Sequence, residues 1–336
     1  MIYDFNLQRF SNTQTTLMNG QSPYTNDLSP EMKTFYDKVL LKFARPNLVH
    51  DQFAQIKNIP KNGGKTIEFR KYTQLAKQLT PLTEGVTPNG QNLNVTTLTA
   101  TVNQYGGYIE LSDVLLLTAI DNNLTEAIEL LGDQAGRTLD TITREVLVGG
   151  TNVIYGSGNT VTARTALTSN MKLTVGDIKL AVRKLKVNLA KKIDGYYVAI
   201  IHPDVAYDIM NDPEWVSASE YAGSTQIFEG EIGKLYGVRF IETTEAKIWA
   251  NAGDDDISVY ATLVMGKNAY GTTSVEGGGL ETIVKQLGSA GTADPLNQRA
   301  TAGWKAIKTA EILAGEYLVR IESASTFSSD DQDAAN

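Results

Sequence analysis

Between residues 122 and 148 the apolar side chains Leu124, Ala127, Ile128, Leu131, Ala135, Leu139, Ile142 and Val146 recur at steps of three and four. That spacing marks one face of an α-helix, and it persists for about seven turns. At about 1.5 Å per residue the helix is on the order of 40 Å long, well above the common length. Asn122 or Asn123 can cap its start, and Gly149-Gly150 ends it. A helix this long offers a surface on which a segment of a neighbouring copy can lie.

Residues 63–111 pose the complementary problem. Ile67 and Phe69 alternate with Thr66, Glu68 and Arg70 as in a half-buried strand, and a returning strand runs through Leu93, Val95, Leu98, Ala100 and Val102. The alternation slips at Thr96-Thr97, where a bulge or strong local twist is expected. Between the strands lies a tip, LTPLTEGVTPNGQN, with Pro81, Gly85, Pro88 and Gly90. Arms of about ten residues would carry the hairpin roughly 30 Å, and a two-stranded ribbon of that kind cannot bury both faces by itself. It needs another surface to lie on.

The remaining segments read as follows. Residues 1–28, rich in Asn, Gln, Ser and Thr, form an extended arm, and Ser29-Pro30 opens a helix with the stripe Phe35, Val39, Leu40 and Phe43 that stops at Arg45-Pro46. Thr174 with Asp177 forms a capping arrangement for a helix carrying Ile178, Val182, Leu185 and Leu189. Strands are expected at 196–201, 238–243, 259–265, 281–287, 304–313 and 317–321. His202-Pro203 starts a short helix, and the tail SSDDQDAAN is acidic and expected to be disordered. A helix-and-strand chain of this order is α+β.

Composition narrows the function. The 336 residues include no cysteine, which removes thiolate metal sites, disulfide scaffolds and cysteine nucleophiles and fits a reducing cytoplasm. No run of eighteen apolar residues is present, so no membrane span is expected, and the first residues lack the basic-then-apolar order of a secretory signal. With 38 acidic and 30 basic residues the net charge is −8, contrary to the basic stripe by which proteins grip phosphates. Arg183, Lys184, Lys186, Lys191 and Lys192 read as the wet face of a helix. Gly64-Lys65-Thr66 lacks the earlier glycine of a phosphate loop, and Gly277-Gly278-Gly279 lacks dinucleotide spacing. Only His50 and His202 are available as imidazoles, and neither has a second histidine at ligand spacing. Asp254-Asp255-Asp256 lacks the alternation and closing glutamate of a calcium loop. No nucleophile, base and orienter assemble, so neither an enzyme nor a cofactor is expected.

The order of parts, and several short motifs, resemble a known family. Pro81-Leu82-Thr83-Glu84-Gly85 with Pro88 is similar to the E-loop tip of one branch of tailed-bacteriophage major capsid proteins. Asp294-Pro295-Leu296, Gln298-Arg299 and Gly303-Trp304-Lys305 resemble that branch's C-terminal signature, and Tyr236-Gly237-Val238 its A-domain strand. The resemblance covers roughly residues 30 to 322 and implies the Hong-Kong-type capsid fold. It divides the chain into an N-terminal arm and first helix (1–60), an E-loop hairpin (61–111) and a P domain (112–154 and 288–313) with the spine helix 122–148. An A domain (155–287 and 314–325) and the disordered acidic tail (326–336) complete it.

The resemblance further implies a coat subunit that forms the hexamers and pentamers of an icosahedral head around double-stranded DNA, assembled in the bacterial cytoplasm. Portal, separate scaffolding and decoration proteins are the expected partners; a separate scaffold is expected because only about thirty residues precede the first helix. The hairpin is expected to lie on a neighbour's spine helix, burying Ile67, Phe69, Val95 and Leu98, with Arg70, Leu82, Glu84 and Arg137 as further assembly contacts. Arg299 is expected to pair with a carboxylate and Trp304 to pack. An encapsulin-type compartment shell with the same fold, a surface-layer or adhesin protein, and a hydrolase are the competing readings.

Overall fold

The computed structural model describes residues 38–44, 48–60, 64–72, 75–118, 123–216, 233–275, 278–289 and 294–329. The expected N-terminal arm, the helix opening at Ser29-Pro30, its stop at Arg45-Pro46 and the Asn122 cap lie outside those residues. The chain divides into two compact units, the first drawn from residues 1–48, 104–138 and 278–307 and the second from 49–103, 139–277 and 308–336.

In the first unit, residues 38–44 are helical, with Leu40 and Ala44 fully buried. Leu40 meets the long helix Asn123–Val148 at Gly132, where a Cβ would stand 2.7 Å from the Leu40 carbonyl oxygen. The long helix starts and ends as its sequence period predicts, and Ala127, Ile128, Leu131 and Ala135 form its buried stripe here. Residues expected to complete the hairpin, 103–112, instead form a separate strand. It joins a three-stranded sheet with residues 281–285 and 299–308, in the order 281–285, 299–308, 103–112. The segment 281–287, expected with the A domain, therefore belongs to this sheet. Residues 281–285 pair there with 301–305, Thr282 opposite Trp304, whose buried indole donates Nε1–H to Gln134 Oε1 at 3.1 Å.

The second unit is built on a seven-stranded sheet. Its order is β5 (Val153–Tyr155), β15 (Leu318–Ser323), β10 (Val259–Met265), β6 (Tyr197–Ile201), β8 (Val238–Glu242) and β7 (Lys234–Leu235), with β9 (Ile248–Trp249) on β10. The β6 and β10 strands are buried at every position, as expected for a sheet covered on both faces. One cover is the helix Val175–Val187, whose Thr174 cap accepts from Asp177 N–H while the Asp177 carboxylate reaches back to Thr174 N–H. Ile178, Val182 and Leu185 are buried under it. Leu189, expected in that stripe, falls past the helix end at φ +57° and points to solvent. His202 caps the helix Pro203–Met210, accepting at Nδ1 from Asp204 N–H at 3.2 Å. The segment 326–328, expected in the disordered tail, is packed: Thr326 N–H donates to Asp208 Oδ2 at 2.8 Å, and Ser328 is buried. Residues 330–336 lie outside the described part.

A second, three-stranded sheet joins residues 55–59, 270–275 and 310–312, the first two running parallel. Neither of the first two segments has a clear alternating pattern in the sequence.

Candidate assembly interface

The hairpin pairs β2 (Thr66–Tyr72) with β3 (Val95–Thr101) in an unbroken antiparallel register from Thr66↔Thr101 to Tyr72↔Val95. No bulge occurs at Thr96-Thr97, which face Lys71 and Arg70 directly. The slipped alternation has another cause: Val95, Thr96 and Thr97 are all exposed, so no face there is selected to be apolar. The arms are seven residues each rather than about ten.

Its root is already covered within one chain. Ile67 and Phe69 pack with Ile59 and Ala100, and with the partly buried Leu98, Val102 and Leu313. The Phe69 ring lies on the backbone of Gly271, where a Cβ would stand 2.7 Å from the ring edge. The expectation that a neighbour buries Ile67 and Phe69 is therefore corrected. The strand at residues 55–59 and the segment around Leu313 supply the cover, and neither was assigned to that role from sequence.

The tip is different. Every residue from 75 to 94 is exposed. Leu75, Leu79, Leu82, Val86 and Leu93 present large apolar side chains to solvent, and Val95 does the same at the strand end. The tip has its own internal order: Val86 N–H donates to Thr83 C=O at 3.1 Å around Glu84, and Gln91 Nε2–H to Ala76 C=O at 2.9 Å. Below it, Lys57, Arg70, Lys71, Tyr72 and Tyr317 border an open groove of about 440 Å³ at the hairpin root. Lys71 is held there by Glu316 at 2.9 Å, and that hydrogen bond keeps the Glu316 carboxyl below its ordinary range.

The other expected contact residues, Arg137, Arg299 and Trp304, belong to the first unit. Arg137 is exposed on the long helix. Arg299 Nη1 lies 3.1 Å from Glu110 Oε1, but both groups are about half exposed, and such pairs contribute little. The firmer anchor of that turn is the buried Asp294, which accepts from Arg299 N–H at 2.8 Å.

A buried polar cluster in the second unit went unforeseen. His50 donates its backbone N–H to Asp140 Oδ1 at 2.7 Å and faces Oδ2 through Nδ1 at 2.6 Å, both side chains fully buried. Asp51 accepts from Thr143 at 2.6 Å and also from Lys308. The Tyr270 hydroxyl donates to His50 C=O, and burial pushes its pKa far up. The signal was present: Asp140 and Thr143 sit three apart, on the same helix face as the buried Leu147. Polar residues inside an apolar stripe mark a buried network, yet nothing local names the distant partners. The cluster ties the chain just past residue 48 to the helix, a structural task. Among the described residues no group of acidic or histidine side chains is placed to hold a metal ion, and no helix is long and apolar enough to cross a membrane.

Comparisons with known proteins bear on the same region. A family model described as phage capsid protein matches residues 95–318. No curated protein matches significantly by sequence. The capsid of Ralstonia phage GP4 is similar in structure at TM-score 0.66 and 15% identity, over 81% of this chain and 87% of that one. The capsid protein of cyanophage Pam1 also reaches TM-score 0.66 at 15% identity, over 98% of this chain and 100% of its own. A virus-like particle from Pyrococcus furiosus matches at TM-score 0.50 and 11% identity, over 87% and 99%. Those likenesses establish the tailed-phage major capsid fold, while the family match spans two-thirds of the chain and carries the function. The family model matches two-thirds of the chain, and the chain belongs to the phage capsid protein family, as a structural, non-enzymatic component of the virion shell.

Proposed function

We propose that the chain is the major subunit of an icosahedral head, arranged as hexamers and pentamers around double-stranded DNA, with the hairpin tip as the principal clamp between copies. The observation that carries this reading is the contrast within the hairpin: a root sealed by its own chain and a tip, residues 75–94, with no cover at all. Five large exposed apolar side chains on one short segment are costly in a lone molecule and ordinary in an obligate interface. Leu82 and Glu84 on that exposed part, and the exposed Val95 at its base, are the proposed contact residues, with Arg70 on the root strand and Arg137 on the receiving helix. The net charge of −8 suits a lining that contains DNA without condensing on it. Assembly in the bacterial cytoplasm with a separate scaffolding protein, a portal and a decoration protein completes the proposal.

Deleting residues 75–92 tests it directly. The root register Thr66–Tyr72 with Val95–Thr101 survives the cut, so the subunit should fold, remain soluble and form no shells in electron micrographs. Normal shells from that variant would refute the clamp. Uniform closed shells from the purified wild-type chain alone would remove the separate scaffold.

A further inference from the structure

The helix Val175–Val187 carries an open groove of about 380 Å³ lined by Lys179, Val182, Arg183, Lys186, Val187 and Tyr236. In a chain of net charge −8 this is a local excess of positive charge. Lys179 is occupied: it pairs with Glu214 and lies 4.4 Å from the Tyr236 ring centre. The side chains of Arg183 and Lys186 have no hydrogen-bond or ion-pair partner among the described residues. Val187, Leu189 and Tyr236 stand exposed beside them, an apolar flank around two free cations.

A complementary feature sits elsewhere in the same unit. Asp254, Asp255 and Asp256 form an exposed turn. Its backbone is fixed: Asp254 N–H donates to Leu167 C=O at 2.8 Å, and Ala252 N–H and Gly253 N–H both donate to Ile257 C=O. Asp255 and Asp256 hold φ values of 53° and 55°, in the left-handed region. Their carboxylates also have no partner among the described residues.

The two features flank opposite ends of one strand. The acidic turn immediately precedes β10, which begins at Val259. At the far end of β10, Lys267 N–H donates to Lys191 C=O at 2.8 Å, in the segment that follows the basic helix. Tyr197 N–H donates to Gly237 C=O there as well, which places the Tyr236 turn at the same end. Seven residues of strand separate the ends by roughly 20 Å, more than twice the screening length of about 8 Å at physiological salt. Among the described residues, the two patches of one copy are too far apart to neutralise each other.

We propose that the basic border of this groove, Arg183 and Lys186, in one copy receives the Asp254–Asp256 turn of the next copy. This inference rests on the shell reading above and adds to it a specific contact between second units. A groove on one end and a matching turn on the other make a heterologous, head-to-tail interface, which closes into a ring when the rotation permits. The opposite charges steer the approach, and the apolar flank of Val187, Leu189 and Tyr236 supplies area to bury.

Absence of cysteine makes the test clean. Shells of a Lys186→Cys/Asp255→Cys variant, mildly oxidised, should give a ladder of disulfide-linked oligomers on a non-reducing gel, and neither single variant should. Independently, Arg183→Glu/Lys186→Glu should lower shell yield about tenfold or more, as like charges then face each other, and so should Asp254→Lys/Asp255→Lys. Combining all four changes should restore shells. Wild-type shells together with unaffected charge variants and no ladder would overturn the contact while leaving the shell reading intact. Failure of the wild-type chain to form any particle, with its assembly partners present, would overturn both.

Discussion

At the hairpin root Ile67 and Phe69 are 6% and 4% exposed; farther along the same ribbon Leu79 and Leu82 are 84% and 76% exposed. Both ends carry apolar side chains, yet only one has found cover within its own chain. Hydrophobic burial scales with area removed from water, so the root already contributes to subunit folding and the tip does not. The root therefore belongs to the energetics of the monomer and, if the tip is the clamp proposed above, the tip belongs to those of the assembly. Mutations in the two places should separate along the same line, folding on one side and association on the other.

The largest subunit effect is expected from Phe69→Ala. It removes a ring packed on Gly271 and Leu313 and should destabilise the subunit by about 3–5 kcal/mol, read as a fall in melting temperature or in the denaturant midpoint. A loss of shells with unchanged melting would break the comparison, because it would make the root an assembly element. Leu79→Ser combined with Leu82→Ser should do the reverse. Subunit stability should stay within about 0.5 kcal/mol, since neither side chain is covered, while shell yield falls. A large drop in melting temperature would show that the tip packs on its own subunit.

The smallest effect is expected at Lys71, which sits between the two regions and pairs with Glu316. Both groups are well exposed, so Lys71→Ala should cost only a few tenths of a kcal/mol at neutral pH. Its sign with pH is fixed. Glu316 has a lowered folded-state pKa because of Lys71, so this stability is present above the unfolded carboxyl value of about 4. It disappears as pH falls through the lowered folded value. The melting difference between wild type and Lys71→Ala should therefore vanish in acid; a difference that grew on acidification would mean the pair is not what stabilises this edge.

Sequence reading reached the local features closely and the distant ones poorly. The helix 123–148, the Thr174–Asp177 capping box and the His202 cap all depend on residues within a few positions of one another. The hairpin was recognisable, but its limits were not, because alternation cannot distinguish a ribbon arm from a strand that pairs elsewhere. Residues 103–112 alternate adequately for either role, and only the pairing with residues 299–308 decides it. Residues 326–328 look like part of an acidic tail until Asp208, on a helix more than a hundred residues earlier, accepts from Thr326.

By itself the sequence determined the helix periods, their caps, the strand faces and the exclusion of thiol chemistry, all consequences of steric and hydrogen-bonding rules acting over one or two turns. Only the tertiary structure decided that Ile67 and Phe69 are sealed by residues 59 and 313, that His50 and Asp140 form a buried pair, and that the tip is left bare. Burial is a property of a face and whatever lies on it, and here what lies on it comes from more than two hundred residues away. The exposed tip, residues 75–94, is therefore the place where the proposed contact with another copy would form.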